Sequence, residues 1–160
     1  MQHERTDPAP WEPVDSDVDL RHDRPVRRTG DTAVLSVIAA GGAIGAVARY
    51  LVGQAWPTPP GSFPWATLVI NVVGCGLIGI LMVVVSEVLT RRRLIRPFLG
   101  TGVLGGFTTF STYALDIQQL IAGRHPGTAL LYLAATIAGA LIAVWATVTA
   151  TRALVAGRIR

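Results

Sequence analysis

The sequence predicts an all-α membrane protein with four transmembrane helices, the third of them broken. Three observations carry this. Charge is scarce and unevenly placed, apolar stretches of bilayer length recur along the chain, and arginines gather at alternate ends of those stretches. Of the 160 residues, 51% are hydrophobic and 15% charged, and the mean hydropathy is +0.47. Soluble domains average about 25% charge. Residues 1–32 hold eight acids against five arginines, a net −3, while the remaining 128 hold two acids (Glu87, Asp116) against nine arginines, a net +7. Such a body excludes a soluble enzyme with a carboxylate-rich cleft. Cys75 is the only cysteine, so a disulfide scaffold is excluded too. His3, His22 and His125 all lie outside the apolar stretches, which leaves no intramembrane histidine metal site.

Residues 1–32 are rich in Asp, Arg and Pro, lack apolar periodicity and are expected to form a disordered tail. The first apolar run starts at Ala33, too late for a cleaved signal peptide. A spanning helix needs about 20 mainly apolar residues. Four stretches qualify, at about 33–52, 65–86, 97–115 and 127–151. Only the first contains a charge, Arg49. Soluble bundle helices carry a polar face, and these stretches have none. The connectors fit turns: residues 56–64 carry four prolines and a glycine, 90–96 read TRRRLIR, and 123–127 read GRHPG. Residues 152–160 form a basic C-terminal end.

Arginine bias sets orientation. Arg21, Arg24, Arg27, Arg28, Arg91, Arg92, Arg93, Arg96, Arg152, Arg158 and Arg160 all flank one side, and only Arg124 flanks the other. Both termini are therefore expected in the cytoplasm, with the chain in a bacterial plasma membrane.

Gly41/Gly45, Gly42/Ala46 and Gly102/Gly106 are small-xxx-small pairs that favour close helix approach. Polar residues inside spans usually face an interior. Arg49 ends the first span and either faces such an interior or snorkels to the headgroups. Asn71 opens the second. Thr108, Thr109, Ser111 and Thr112 crowd the third, where Gly105 and Gly106 precede them; helix-breaking glycine and competing hydroxyls predict a break over 105–109. Broken helices at membrane depth occur where freed carbonyls line a cavity or bind a hard cation. Phe107, Phe110 and Tyr113 fall at i, i+3 spacing, a stripe that also suits plain packing. Tyr132 and Thr136 share a face of the fourth span, where Tyr132 could equally anchor an interface. Gly100-x-Gly102-x-x-Gly105 matches a dinucleotide fingerprint in letters only, since no strand precedes it.

Gly41-Gly42-Ala-Ile-Gly45-Ala-Val-Ala-Arg49-Tyr50, Thr67-Leu-Val-Ile-Asn71-Val-Val-Gly74 and Gly105-Gly-Phe-Thr-Thr-Phe-Ser-Thr-Tyr-Ala-Leu-Asp116 together resemble the Fluc (CrcB) fluoride channel family. The resemblance covers all four spans. It implies a dual-topology antiparallel dimer with two narrow pores passing F⁻ down its gradient, which exports fluoride that entered as HF. It also implies a structural, untransported Na⁺ at the dimer centre, held by the backbone carbonyls of Gly105 and Thr108. By motif position Asn71, Phe110, Tyr132 and Thr136 line the fluoride path, and Arg49 matches the family's arginine. Three positions differ: Tyr113 stands for a second phenylalanine, Thr136 for a serine with its hydroxyl kept, and Asp116 for a more usual glutamate.

Elementary chemistry fits those roles. A small, strongly hydrated anion needs replacement donors, which Asn71, Ser111, Tyr132 and Thr136 can supply. Ring edges are electropositive, so Phe110 can meet an anion edge-on, and the Tyr113 hydroxyl would add a donor. Arg49 and the Na⁺ bias the local potential toward anions. Neither catalytic turnover nor a nucleic-acid partner is expected. Dual-topology homodimers need balanced flanks, so the one-sided arginines favour an oppositely oriented paralogue over a second copy as partner. The alternative reading is a proton-coupled small multidrug-type exporter. It would require a carboxylate in the first span, and residues 33–52 have none.

Overall fold

A computed structural model describes residues 28–87 and 94–158. Nearly the whole predicted tail, the arginines at 91–93 and the last two residues lie outside the described residues. Helix α1 is Arg28–Ala55, α2 is Trp65–Glu87, α4 is Phe110–Ala122 and α5 is Pro126–Arg158; between α2 and α4 come a π-helical segment, Arg96–Leu104, and one α turn, α3, Gly105–Phe107. No strand occurs among the described residues.

Three of these helices are long and apolar enough to cross a membrane: Thr32–Ala55, Trp65–Ser86 and Pro126–Gly157. The stretch read as the third span is two helical pieces, neither of bilayer length alone. The limits also differ from expectation at several ends. Helix α1 starts at Arg28, inside the segment expected to be a tail, and α4 runs on to Ala122. Helix α5 continues seven residues past Thr151, to Arg158. At 1.5 Å per residue its 33 residues span about 50 Å, beyond a hydrocarbon core of about 30 Å. Backbone hydrogen bonds close within the helix, so the extra turns need no partner to hold their shape.

The connectors explain where the helices stop. Between α1 and α2, Gly61 takes φ +77°, a conformation open to glycine, and Ser62 Oγ donates to Pro59 O at 2.7 Å. After α4, Gly123 ends the helix and Arg124 turns through φ 62°. Pro126 then opens α5, where its missing N–H costs nothing.

Two packing pairs dominate. Helix α2 lies on α5, and α1 lies on the π segment and α3. The second pair approaches at backbone distance. A Cβ on Gly45 would overlap Val103 O, and one on Gly106 would overlap Gly42 O. The glycine pairs read from the sequence are thus the contact line between α1 and the broken helix. Large apolar side chains face outward along α1 and α5, among them Val47, Leu51, Leu141, Ile142 and Trp145. In water this surface would be an aggregation hazard; in lipid it is the expected exterior.

Candidate functional site

The site forms where the third apolar stretch breaks. Thr108 (φ −74°, ψ 158°) and Thr109 (φ −148°, ψ 121°) are extended, so α3 ends and α4 restarts across them. The Thr109 hydroxyl caps the restart, accepting from Thr112 N at 3.1 Å and donating to Thr112 Oγ1 at 3.0 Å. Thr is a favoured N-cap for this reason. Ser111 Oγ lies 3.3 Å from the same hydroxyl.

Neighbouring helices hold both sides of the break. Asn71 of α2 bonds Thr109 twice: its Oδ1 accepts from Thr109 N at 2.9 Å and its Nδ2 donates to Thr109 O at 3.0 Å. Arg49 of α1 donates from Nε to Gly106 O at 3.2 Å. Of the two readings left open for Arg49, the side chain takes the inward one, toward the break.

Around the break lie two cavities. One, of about 310 Å³, is lined by Asn71, Cys75, Thr108, Thr109, Phe110, Tyr113, Thr136, Ile137 and Ala140. It gathers five of the expected path and ion residues in one place. The other, of about 260 Å³, is lined by Arg49, Tyr50, Gln54, Thr67, Thr109 and Thr112 among others. Ser111 lines neither, nor does Tyr132. The Tyr132 ring is wholly buried and packs edge-on to Phe63, 87° between planes and 5.5 Å between centres. Its hydroxyl donates to Asp116 Oδ2 at 3.1 Å. That bond joins α5 to α4. It places Tyr132 in the interior, not in an interface belt.

The aromatic stripe of Phe107, Phe110 and Tyr113 does not form. The break falls between Phe107 and Phe110, so the first ring belongs to a different helix. Phe110 and Tyr113 remain paired at 5.8 Å. Tyr113 turns its hydroxyl to Leu133 O at 3.3 Å, away from a role as an added donor. Thr136 likewise donates to its own helix, at Tyr132 O, 2.8 Å. Phe110 is 79% exposed.

Thr109 holds the centre of this arrangement, although the sequence reading gives it no role of its own. A threonine preceding a helical run is an N-cap signal, but only once the break is placed. Residues 58–62 and the segment around Asp116, Gln119 and His125 enclose a further cavity of about 620 Å³ at the end where α4 turns into α5. Its walls come from the connector before α2, from α4 and from the turn into α5, a meeting that no local pattern reveals.

A family model described as CrcB-like protein, Camphor Resistance (CrcB), matches residues 36–148. A protein of Streptomyces avermitilis named fluoride-specific ion channel FluC 2 is 59% identical over 108 residues, 68% of either chain. A Streptomyces coelicolor protein named fluoride-specific ion channel FluC 1 is 56% identical over 119 residues, 74% of this chain and 77% of that one. One from Nocardia farcinica, named fluoride-specific ion channel FluC 2, is 52% identical over 130 residues, 76% of this chain and 93% of its own.

Proposed function

The chain belongs to the CrcB-like family, and we propose that it is a fluoride-specific ion channel, a multi-pass membrane protein and not an enzyme. The observation that carries this is the set of relatives at 52–59% identity, each bearing that name. Helices α1, α2 and α5 each cross the bilayer, and the broken helix makes the fourth crossing. An oppositely oriented chain packs against the broken helix. Fluoride leaves the cytoplasm passively along Phe110, Ser111, Thr136 and the rest of the path. Both termini stay in the cytoplasm of a bacterial cell.

A structural Na⁺ at the subunit contact belongs to the same reading. The donor chemistry fits it. In a continuous helix Gly105 O would accept from Thr109 N and Thr108 O from Thr112 N. Both N–H groups are bonded elsewhere, to Asn71 Oδ1 and to Thr109 Oγ1. Two neighbouring carbonyls are thereby released, and carbonyl oxygens are hard ligands suited to a hard cation. Gly106 O is not released in this way, because Arg49 covers it. When bound, the ion supplies fixed positive charge and joins the two subunits.

The multidrug-type alternative has no geometric support. Residues 33–52 hold no carboxylate, and Asp116 in α4 is bonded to Tyr132. KF-loaded proteoliposomes containing the assembled channel, read with a fluoride electrode, test the proposal. Rapid passive F⁻ efflux that requires Na⁺ and does not respond to a proton gradient is expected. Efflux driven only by protons would overturn it.

A further inference from the structure

Asn71 stands 38 residues before Thr109 and spends both ends of its amide on that one backbone unit. The orientation is unambiguous: only the oxygen can accept from Thr109 N, and only the nitrogen can donate to Thr109 O. Three residues on, along the same face of α2, Gly74 leaves room for the break. A Cβ there would overlap Thr108 Cγ2. Helix α2 thus presents a two-point clamp and a clear seat to two consecutive extended residues.

The clamp acts on carbonyls that Asn71 does not touch. By taking Thr109 N it removes the donor that would close on Gly105 O. By fixing Thr109 as extended it sets the hydroxyl that takes Thr112 N from Thr108 O. Without the clamp, Thr109 can return to helical angles, and both carbonyls then recover ordinary helical donors.

We infer that Asn71 is a positioning residue for the cation site, holding Gly105 O and Thr108 O free through Thr109. This rests on the sodium reading above. It makes cation affinity a property that Asn71 controls. Partners that orient metal ligands typically contribute ten- to a hundredfold in metal affinity, and a similar size is expected here.

The test is Na⁺-dependent thermal stability of the assembled channel in detergent, with choline replacing Na⁺ at constant ionic strength. A ligand that binds only the folded form raises the unfolding midpoint with concentration. The Na⁺ concentration giving half the rise is read for the wild type and for Asn71→Ala, and fluoride efflux is measured separately in saturating Na⁺. The expected result is a half-rise concentration at least about tenfold higher in Asn71→Ala. Thr109→Val keeps the side-chain volume but loses the hydroxyl. It should shift the same concentration upward, and it carries the test if Asn71→Ala does not assemble. An unshifted Na⁺ response, with or without lowered fluoride efflux, would overturn the inference. A wild type that Na⁺ does not stabilise would instead overturn the sodium reading itself.

Discussion

Every hydroxyl proton that the sequence offers to an anion near Tyr132 has an acceptor inside the chain. Tyr113 donates to Leu133 O at 3.3 Å, Tyr132 to Asp116 Oδ2 at 3.1 Å, and Thr136 to Tyr132 O at 2.8 Å. Fluoride must therefore displace an internal acceptor to use any of them. Displacing a carboxylate differs from displacing a carbonyl, since bonds to charged acceptors are roughly twice as strong. Tyr113 is the simplest case. Its hydroxyl faces α5 backbone, and its ring packs against Tyr132 at 5.3 Å. Tyr113→Phe keeps the ring and loses one bond from α4 to α5. Fluoride efflux from proteoliposomes should stay within about twofold, while unfolding in detergent should register a loss of about 0.6 kcal/mol, the average for bonds between membrane helices. A large change in efflux rate in either direction would show that the hydroxyl serves the anion after all.

At the scale of elements, the broken helix is the part of the fold most exposed to single changes. Along α1, Gly45 meets the backbone of the π segment and α3, while the neighbouring Gly42 has open space where a Cβ would stand. The two glycines are three residues apart in the same helix, yet alanine should act oppositely on them. Gly45→Ala forces two backbones apart, an overpacking cost of typically 1–3 kcal/mol. Gly42→Ala adds helix propensity of about 0.8–1.0 kcal/mol with nothing to collide with. Thermal unfolding of the two variants in detergent should therefore give midpoints on opposite sides of the wild type, and equal shifts would disprove this packing line.

Both glycines are legible in the sequence as small-xxx-small pairs, and so are the apolar lengths of α1, α2 and α5, because each is a local pattern. The break is legible as well, from glycine followed by hydroxyls. Its consequences are not. The split of Phe107 from Phe110 depends on which two residues extend. The clamp on Thr109 and the bond from Tyr132 to Asp116 join separate helices, and the spacing between helices is set by packing, which no local period encodes. The start of α1 at Arg28 escaped the sequence for a related reason: composition marks charge and proline, while a helix already nucleated downstream extends upstream at little cost.

At the scale of the whole molecule, the proposed channel calls for a second chain. Phe110, expected to face the anion, is 79% exposed, and Gly105 at the break is exposed as well. A partner inverted in the membrane would bring a second break against the first. In the proposed topology, charge bears on which chain that partner is. Eleven arginines flank one side and one flanks the other. Moving a single charge across the membrane against 100 mV costs about 2.3 kcal/mol, so inserting this chain upside down is strongly disfavoured and a mixture of orientations is not expected. On this proposal the expected partner is a family member with the opposite bias, not a second copy. Expressed alone and reconstituted, the chain should yield no fluoride efflux above empty liposomes. Co-expressed with an oppositely biased paralogue from the same genome, it should co-purify with that protein and give full efflux. Efflux from liposomes holding only this chain, with cross-linking that captures two identical copies, would show that the flanking arginines do not fix its orientation.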